Sequence, residues 1–133
     1  MSEIQNMINN REICGKELIL DIHNVEPFTL TKESIESFLT KLCEEINMER
    51  TELYCWEYLE DPTKDPEEFK HLKGYSFVQF IKTSNVTIHT FDLPCRVSLN
   101  IFSCKDFNQE EATKFCKDWF KGDVIQDLCI LRY

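Results

Sequence analysis

The chain has 133 residues, 42% of them hydrophobic, and carries 24 acidic against 15 basic side chains, a formal net charge of −9. That length and apolar fraction fit one packed domain, residues 1–133, and exclude a disordered or low-complexity chain. The acidic balance argues against nucleic acid or an anionic membrane surface as the main partner, because both need clustered Lys and Arg.

Residues 1–15 are polar and read as a mobile lead-in closed by Gly15. Their MSEIQNMINNREICG has no apolar core of a secretory signal, and no run approaches the roughly 18 apolar residues of a membrane span. A first strand follows at Glu17–His23 and is broken by Pro27. Thr31 then caps a helix whose Ile35, Phe38, Leu39, Leu42, Cys43 and Ile46 fall on one face. Leu53–Leu59, with Trp56 and Tyr58, is a second strand. Residues 61–73 hold two prolines and mixed charge and read as a long loop.

Three more strands follow in quick succession: Tyr75–Lys82, Asn85–Phe91 and, after the Asp92-Leu93-Pro94-Cys95 turn, Arg96–Cys104. Asn108 and Glu111 form a capping box that opens a second helix. Ala112, Phe115, Cys116, Trp119 and Phe120 line one face of that helix, and Gly122 stops it. Val124–Leu131 is the last strand. The order β-α-β-β-β-β-α-β predicts an α+β fold, a two-layer α/β sandwich with a mainly antiparallel sheet and both helices on one face. Several strands are apolar at both parities (Phe77, Val78, Phe80, Ile81; Leu99, Ile101, Phe102). This predicts that the other face is covered too, most simply by a second copy in a homodimer.

The seven cysteines are Cys14, Cys43, Cys55, Cys95, Cys104, Cys116 and Cys129. An odd count without CxxC spacing predicts reduced thiols in a cytoplasmic protein and no zinc or other metal site. Cys104 stands apart. If the strands before and after Leu93-Pro94 form a hairpin, opposed residues sum to roughly 187. The Cys104 thiol then falls beside the Thr83–Ser84 peptide bond, in the short link between two strands. His89 lies five residues beyond Ser84, an odd step, so the two can cooperate only if the chain bends at Ser84.

The segment TSNVTIHT, followed fifteen residues past its histidine by the cysteine of IFSC, resembles the S-adenosylmethionine decarboxylase proenzymes of the short prokaryotic type. Those carry a similar S-x-x-T-I-H-T segment and then a strand ending in F-T/S-C. Ser76, Ser84, His89 and Cys104 all fall in register without a gap, and the resemblance is strongest over residues 74–106.

The resemblance implies an S-adenosylmethionine decarboxylase-like fold and a chain that cleaves itself into 1–83 and 84–133. The Ser84 hydroxyl would attack the Thr83 carbonyl carbon, with Ser76 supporting the intermediate and His89 promoting elimination. Ser84 would thereby become a covalent pyruvoyl cofactor that forms a Schiff base with substrate and acts as an electron sink. Cys104 would then return a proton to the substrate α-carbon. The implied product supplies aminopropyl groups for spermidine and other polyamines, and the implied unit is a dimer of processed protomers.

The chain departs from the pattern at Thr83 (often Glu), at Asn85 (often His) and at Leu93, where a ribose-binding Glu is expected. Phe91 keeps the aromatic expected near adenine, and Asp92 reaches the ribose only with a one-residue shift. Arginine or ornithine is therefore an alternative substrate, and an unprocessed, non-catalytic paralogue that binds ligand or partner is an alternative function. A cysteine hydrolase built on Cys104 and His89 lacks an orienting third residue.

Overall fold

Alternating strands and amphipathic helices assemble into two layers in the computed structural model, which describes residues 2–133. The elements are α1 (Glu3–Asn9), β1 (Gly15–His23), a 3-10 turn at Pro27–Leu30, α2 (Lys32–Glu45), β2 (Arg50–Glu57) and α3 (Pro66–Leu72). They continue with β3 (Tyr75–Ile81), β4 (Ser84–Phe91), β5 (Arg96–Ser103), α4 (Gln109–Phe120) and β6 (Asp123–Arg132). One six-stranded sheet has the order β2-β3-β4-β5-β1-β6, and every neighbouring pair is antiparallel. The expected α+β sandwich is the observed one.

The core lies between the sheet and the α2/α4 layer. Leu18, Leu20 and Ile22 of β1, Phe77 of β3, Val86 and Ile88 of β4, and Leu99 and Ile101 of β5 all point to that side and are buried. They alternate with outward residues because successive strand side chains face opposite ways. Phe38 of α2 is fully buried against Phe120, Phe115 and Trp119 of α4, with its ring centroid 4.7 Å from that of Phe120. Thr31 caps α2 through the Ser34 amide at 3.1 Å, and Asn108 caps α4 through the Glu111 amide at 2.9 Å. Both caps satisfy amides that the helix itself leaves without partners.

The opposite face of the sheet carries Tyr54, Trp56 and Phe80 toward the β2 edge and Leu128 and Ile130 on β6, all exposed. The second parity of apolar residues is therefore real, and it faces outward in the single chain. Hydrophobic area of this kind, interspersed with polar groups, is what an interaction surface presents.

Three expectations are corrected. The lead-in contains the helix α1, capped by Ser2 on the Gln5 amide at 2.9 Å. It is tied to the loop after β5: Gln5 Oε1 accepts from the Asp106 amide at 2.9 Å, and Ser2 Oγ donates to Asp106. Within 61–73, Pro66 does not break structure but opens α3, with Asp65 as cap on the Glu67 amide at 3.0 Å. Proline suits the first helical position, where its missing N–H costs nothing. At the end of α4 the left-handed residue is Lys121 (φ 55°), not Gly122. Gly122 is needed for space, because a Cβ there would lie 2.6 Å from the His23 carbonyl oxygen.

Candidate active site

The antiparallel register of β4 and β5 decides what surrounds the Thr83–Ser84 bond. Asn85 pairs with Phe102 and Thr87 with Asn100, so opposed residues sum to 187, as the turn arithmetic predicted. Continuing the ladder by one step puts Ser84 beside Ser103, and by two steps Thr83 beside Cys104. The Cys104 thiol donates to the Thr83 carbonyl oxygen at 3.2 Å, and the Cys104 amide donates to Ser84 Oγ at 3.1 Å. Cys104 thus holds both neighbours of the Thr83–Ser84 bond, the carbonyl oxygen through its thiol and the serine hydroxyl through its amide.

The backbone contributes as well. Ile81 pairs with Ser84, leaving Lys82-Thr83 as a two-residue turn. Thr83 has φ 62°, in the left-handed region that costs a β-branched residue about 1–2 kcal/mol. That strain sits on the residue whose carbonyl would be attacked. Thr83 is exposed, and Ser84 is buried at 8% exposure. The Ser84 side chain turns to the helix side and lines a cleft of about 470 Å3 with Met48, Glu49, Lys82, Ser103 and Lys105.

Ser76 and His89 form a second group. They are paired across β3 and β4, and Ser76 Oγ lies 2.7 Å from His89 Nδ1. Both point to the open face of the sheet, in a row with Trp56 on β2 and Ser98 on β5. The bend expected at Ser84 does not occur. β4 runs regularly from Ser84 to Phe91 and buries Ser84, Val86, Ile88 and Thr90 on one side. His89 thus faces away from Ser84 and, at about 3.3 Å per residue, stands roughly 16 Å along the strand from it. Within one chain, Ser84 and Cys104 come together, and so do Ser76 and His89, but the two pairs do not meet.

Phe91 belongs with the second pair. It lines a cleft of about 220 Å3 with Trp56, Tyr58, Ser76 and His89. That cleft has no carboxylate in its lining. Asp92 lies elsewhere, in a cleft with Lys32, Glu57, Lys73 and Tyr75. Its Oδ1 is buried without a hydrogen-bond partner, and burial pushes its carboxyl above the usual range, against the pull of Lys73. Leu93 is half exposed in the turn.

The other thiols divide by burial. Desolvation pushes Cys43 up to about 11 and Cys116 higher still, so both are small apolar core groups. All seven cysteines are free, and no group of three or more His, Cys, Asp or Glu is placed to hold a metal among the described residues.

The chemistry sequence reading missed is Ser103, fully buried beside Ser84 with the two hydroxyls 3.4 Å apart. Its signal was the tripeptide Phe102-Ser103-Cys104, in which only the cysteine drew attention.

The architecture is that of an α+β sandwich in which Thr83, Ser84 and Cys104 cluster at the turn between β3 and β4. The family described as S-adenosylmethionine decarboxylase matches residues 16–132, nearly the whole chain, so the chain belongs to that family of decarboxylases, which serves polyamine synthesis. Among solved structures, the crystal structure of the adenosylmethionine decarboxylase from Aquifex aeolicus VF5 is similar, with a TM-score of 0.72 and 15% identity. The match covers 90% of this chain and 91% of that one, and shows a shared fold. No protein in a comparison with curated proteins matches significantly.

Proposed function

We propose that the chain cleaves itself between Thr83 and Ser84 and then, with the pyruvoyl group made from Ser84, decarboxylates S-adenosylmethionine. The observation that carries this reading is the Cys104 thiol on the Thr83 carbonyl oxygen at 3.2 Å, with Ser84 Oγ held by the Cys104 amide. The residues fit the cofactor, because its formation needs a serine hydroxyl next to a polarised, strained carbonyl. Attack by Ser84 Oγ forms a C–O bond to Thr83, and the C–N bond breaks as the Ser84 nitrogen takes the proton. Elimination then breaks the Ser84 Cβ–Oγ bond, releases the Thr83 carboxylate and leaves a dehydroalanine at position 84; its imine tautomer is hydrolysed by water, which supplies the pyruvoyl carbonyl oxygen as the Ser84 nitrogen leaves as ammonia. A pyruvoyl carbonyl supplies the electron sink for decarboxylation. Cys104, whose Sγ already lies at this bond, is placed to deliver a proton there.

Elimination requires removal of the Ser84 Cα proton, and His89 is the candidate base. Because His89 stands about 16 Å from Ser84 and on the other face, the reading places Ser76 and His89 of the partner subunit at each cleavage site. The exposed Tyr54, Trp56 and Phe80 give the open face the apolar area a sheet-to-sheet homodimer would bury. This reading takes the cytoplasm as its setting; separately, no helix among the described residues is long and apolar enough to cross a membrane.

A second substrate reading rests on Leu93. With no carboxylate in the Phe91 cleft to hold ribose hydroxyls, an amino acid that carries no ribose, such as arginine or ornithine, competes with S-adenosylmethionine as substrate. Intact mass tests cleavage: two fragments meeting at Thr83/Ser84, the second blocked at its amino terminus, support it, and a single chain persisting after long incubation refutes it. Carbon dioxide release with S-adenosylmethionine, arginine and ornithine in parallel decides the substrate.

A further inference from the structure

We infer that Ser103 is a working part of the cleavage site, the group that aims the Ser84 hydroxyl; the inference rests on the proposed self-cleavage. It follows from counting protons. Ser103 Oγ lies 2.6 Å from the Lys105 carbonyl oxygen, which can only accept, so the one proton of Ser103 is committed there. Met48 Sδ, at 3.6 Å, is a far weaker competing acceptor. The Lys105 amide donates back to Ser103 Oγ at 2.9 Å. This closed loop locks the Ser103 rotamer and leaves one lone pair, which faces Ser84 Oγ at 3.4 Å. Ser84 is therefore the donor in that contact.

The consequence lies on Ser84. Its proton points to Ser103, and the Cys104 amide occupies one of its two lone pairs at 3.1 Å. The remaining lone pair is the only free valence and is available to the Thr83 carbon. The 3.4 Å contact is long for a hydrogen bond between hydroxyls. Such contacts tighten as the reaction proceeds. As the C–O bond forms, Ser84 Oγ becomes more acidic and its hydrogen bond to Ser103 strengthens. Ser103 holds that proton without keeping it, and the proton finishes on the Ser84 nitrogen when the C–N bond breaks.

This role ends with the first step. Elimination carries the Ser84 oxygen away in the Thr83 carboxylate, so Ser103 loses its partner in the mature enzyme. Ser103 should therefore govern how fast the cofactor forms and not how fast a formed site turns over.

The test follows cleavage by intact mass from time zero in cell-free synthesis, for the wild type, Ser103→Ala and Ser103→Thr. Ser103→Ala should cleave roughly 100-fold more slowly, the low end of what one positioned proton-handling group contributes. Ser103→Thr keeps the hydroxyl and should come back to near the wild-type rate. Turnover per cleaved site should match the wild type in both. If Ser103→Ala cleaves as fast as the wild type, or if Thr fails to rescue it, Ser103 is only a turn cap and the inference falls while self-cleavage stands. A wild-type chain that stays whole overturns both. Should the alanine variant be insoluble, Ser103→Cys replaces it: slow cleavage beside a normal Ser103→Thr supports the role, and equal rates overturn it.

Discussion

Replacing Cys104 by alanine removes the S–H donor that reaches the Thr83 carbonyl oxygen at 3.2 Å. In the resting chain that bond is worth little, since a thiol is a weak donor. In the proposed attack on Thr83 the oxygen would become an oxyanion, and a preorganised donor there is worth about 2.7–4 kcal/mol when it is an amide. Scaling down for a thiol leaves about 2 kcal/mol, or roughly 30-fold in the cleavage rate. The assay is the time course of the 1–83 and 84–133 fragments by intact mass. Cys104→Ser separates the two roles proposed for this residue. Its O–H restores a donor, so cleavage should recover to within several-fold of the wild type. An alcohol is a far weaker acid than a thiol, so carbon dioxide release should stay impaired. Cleavage of Cys104→Ala at the wild-type rate would refute the idea that this thiol polarises Thr83.

Mixing a Ser84→Ala chain with a His89→Ala chain should restore cleavage of the latter if the site is built across a dimer; absence of recovery in verified mixed dimers would mean the site lies within one chain. Asp92→Asn should raise stability at neutral pH by up to about 1 kcal/mol, read by urea denaturation, because it removes a charge whose buried oxygen has no partner. The sign follows from the carboxyl's raised value: its contribution is fully present below the unfolded value and is lost as pH rises through the folded one. Asp106 behaves oppositely. Burial pushes it up, but hydrogen bonds from Lys16 and Ser2 and the Lys16 charge at 2.7 Å outweigh that and hold it low. Its contribution is present above the unfolded value and lost as pH falls through the folded one, so Asp106→Asn should flatten the acid limb of a Tm-against-pH curve. Phe38→Ala should cost about 3–5 kcal/mol by the same denaturation measurement, since it opens a cavity between α2 and α4.

The strands around the site were legible in the residues because their alternation and the Leu93-Pro94 turn are local, and a turn position sets a register by arithmetic. That is why turn arithmetic alone sets Cys104 against Thr83, where the ladder holds it. The two helix caps at Thr31 and Asn108 were legible for the same reason: cap and capped amide lie three residues apart. The α1 helix was missed because what holds it, the Ser2 and Gln5 contacts to Asp106, spans about a hundred residues.

By itself, the sequence determined the α+β order, the hairpin register and the family motif, all properties of spacing along one chain. Only the tertiary structure decided which reactive groups share a face. Strand parity puts Ser84 under the helices and Ser76 with His89 on the open side. The same parity brought Ser103, the middle residue of the F-T/S-C motif, to Ser84. Faces depend on where a strand starts as well as on its composition, and the turn at Lys82-Thr83, rather than a bend at Ser84, set that start.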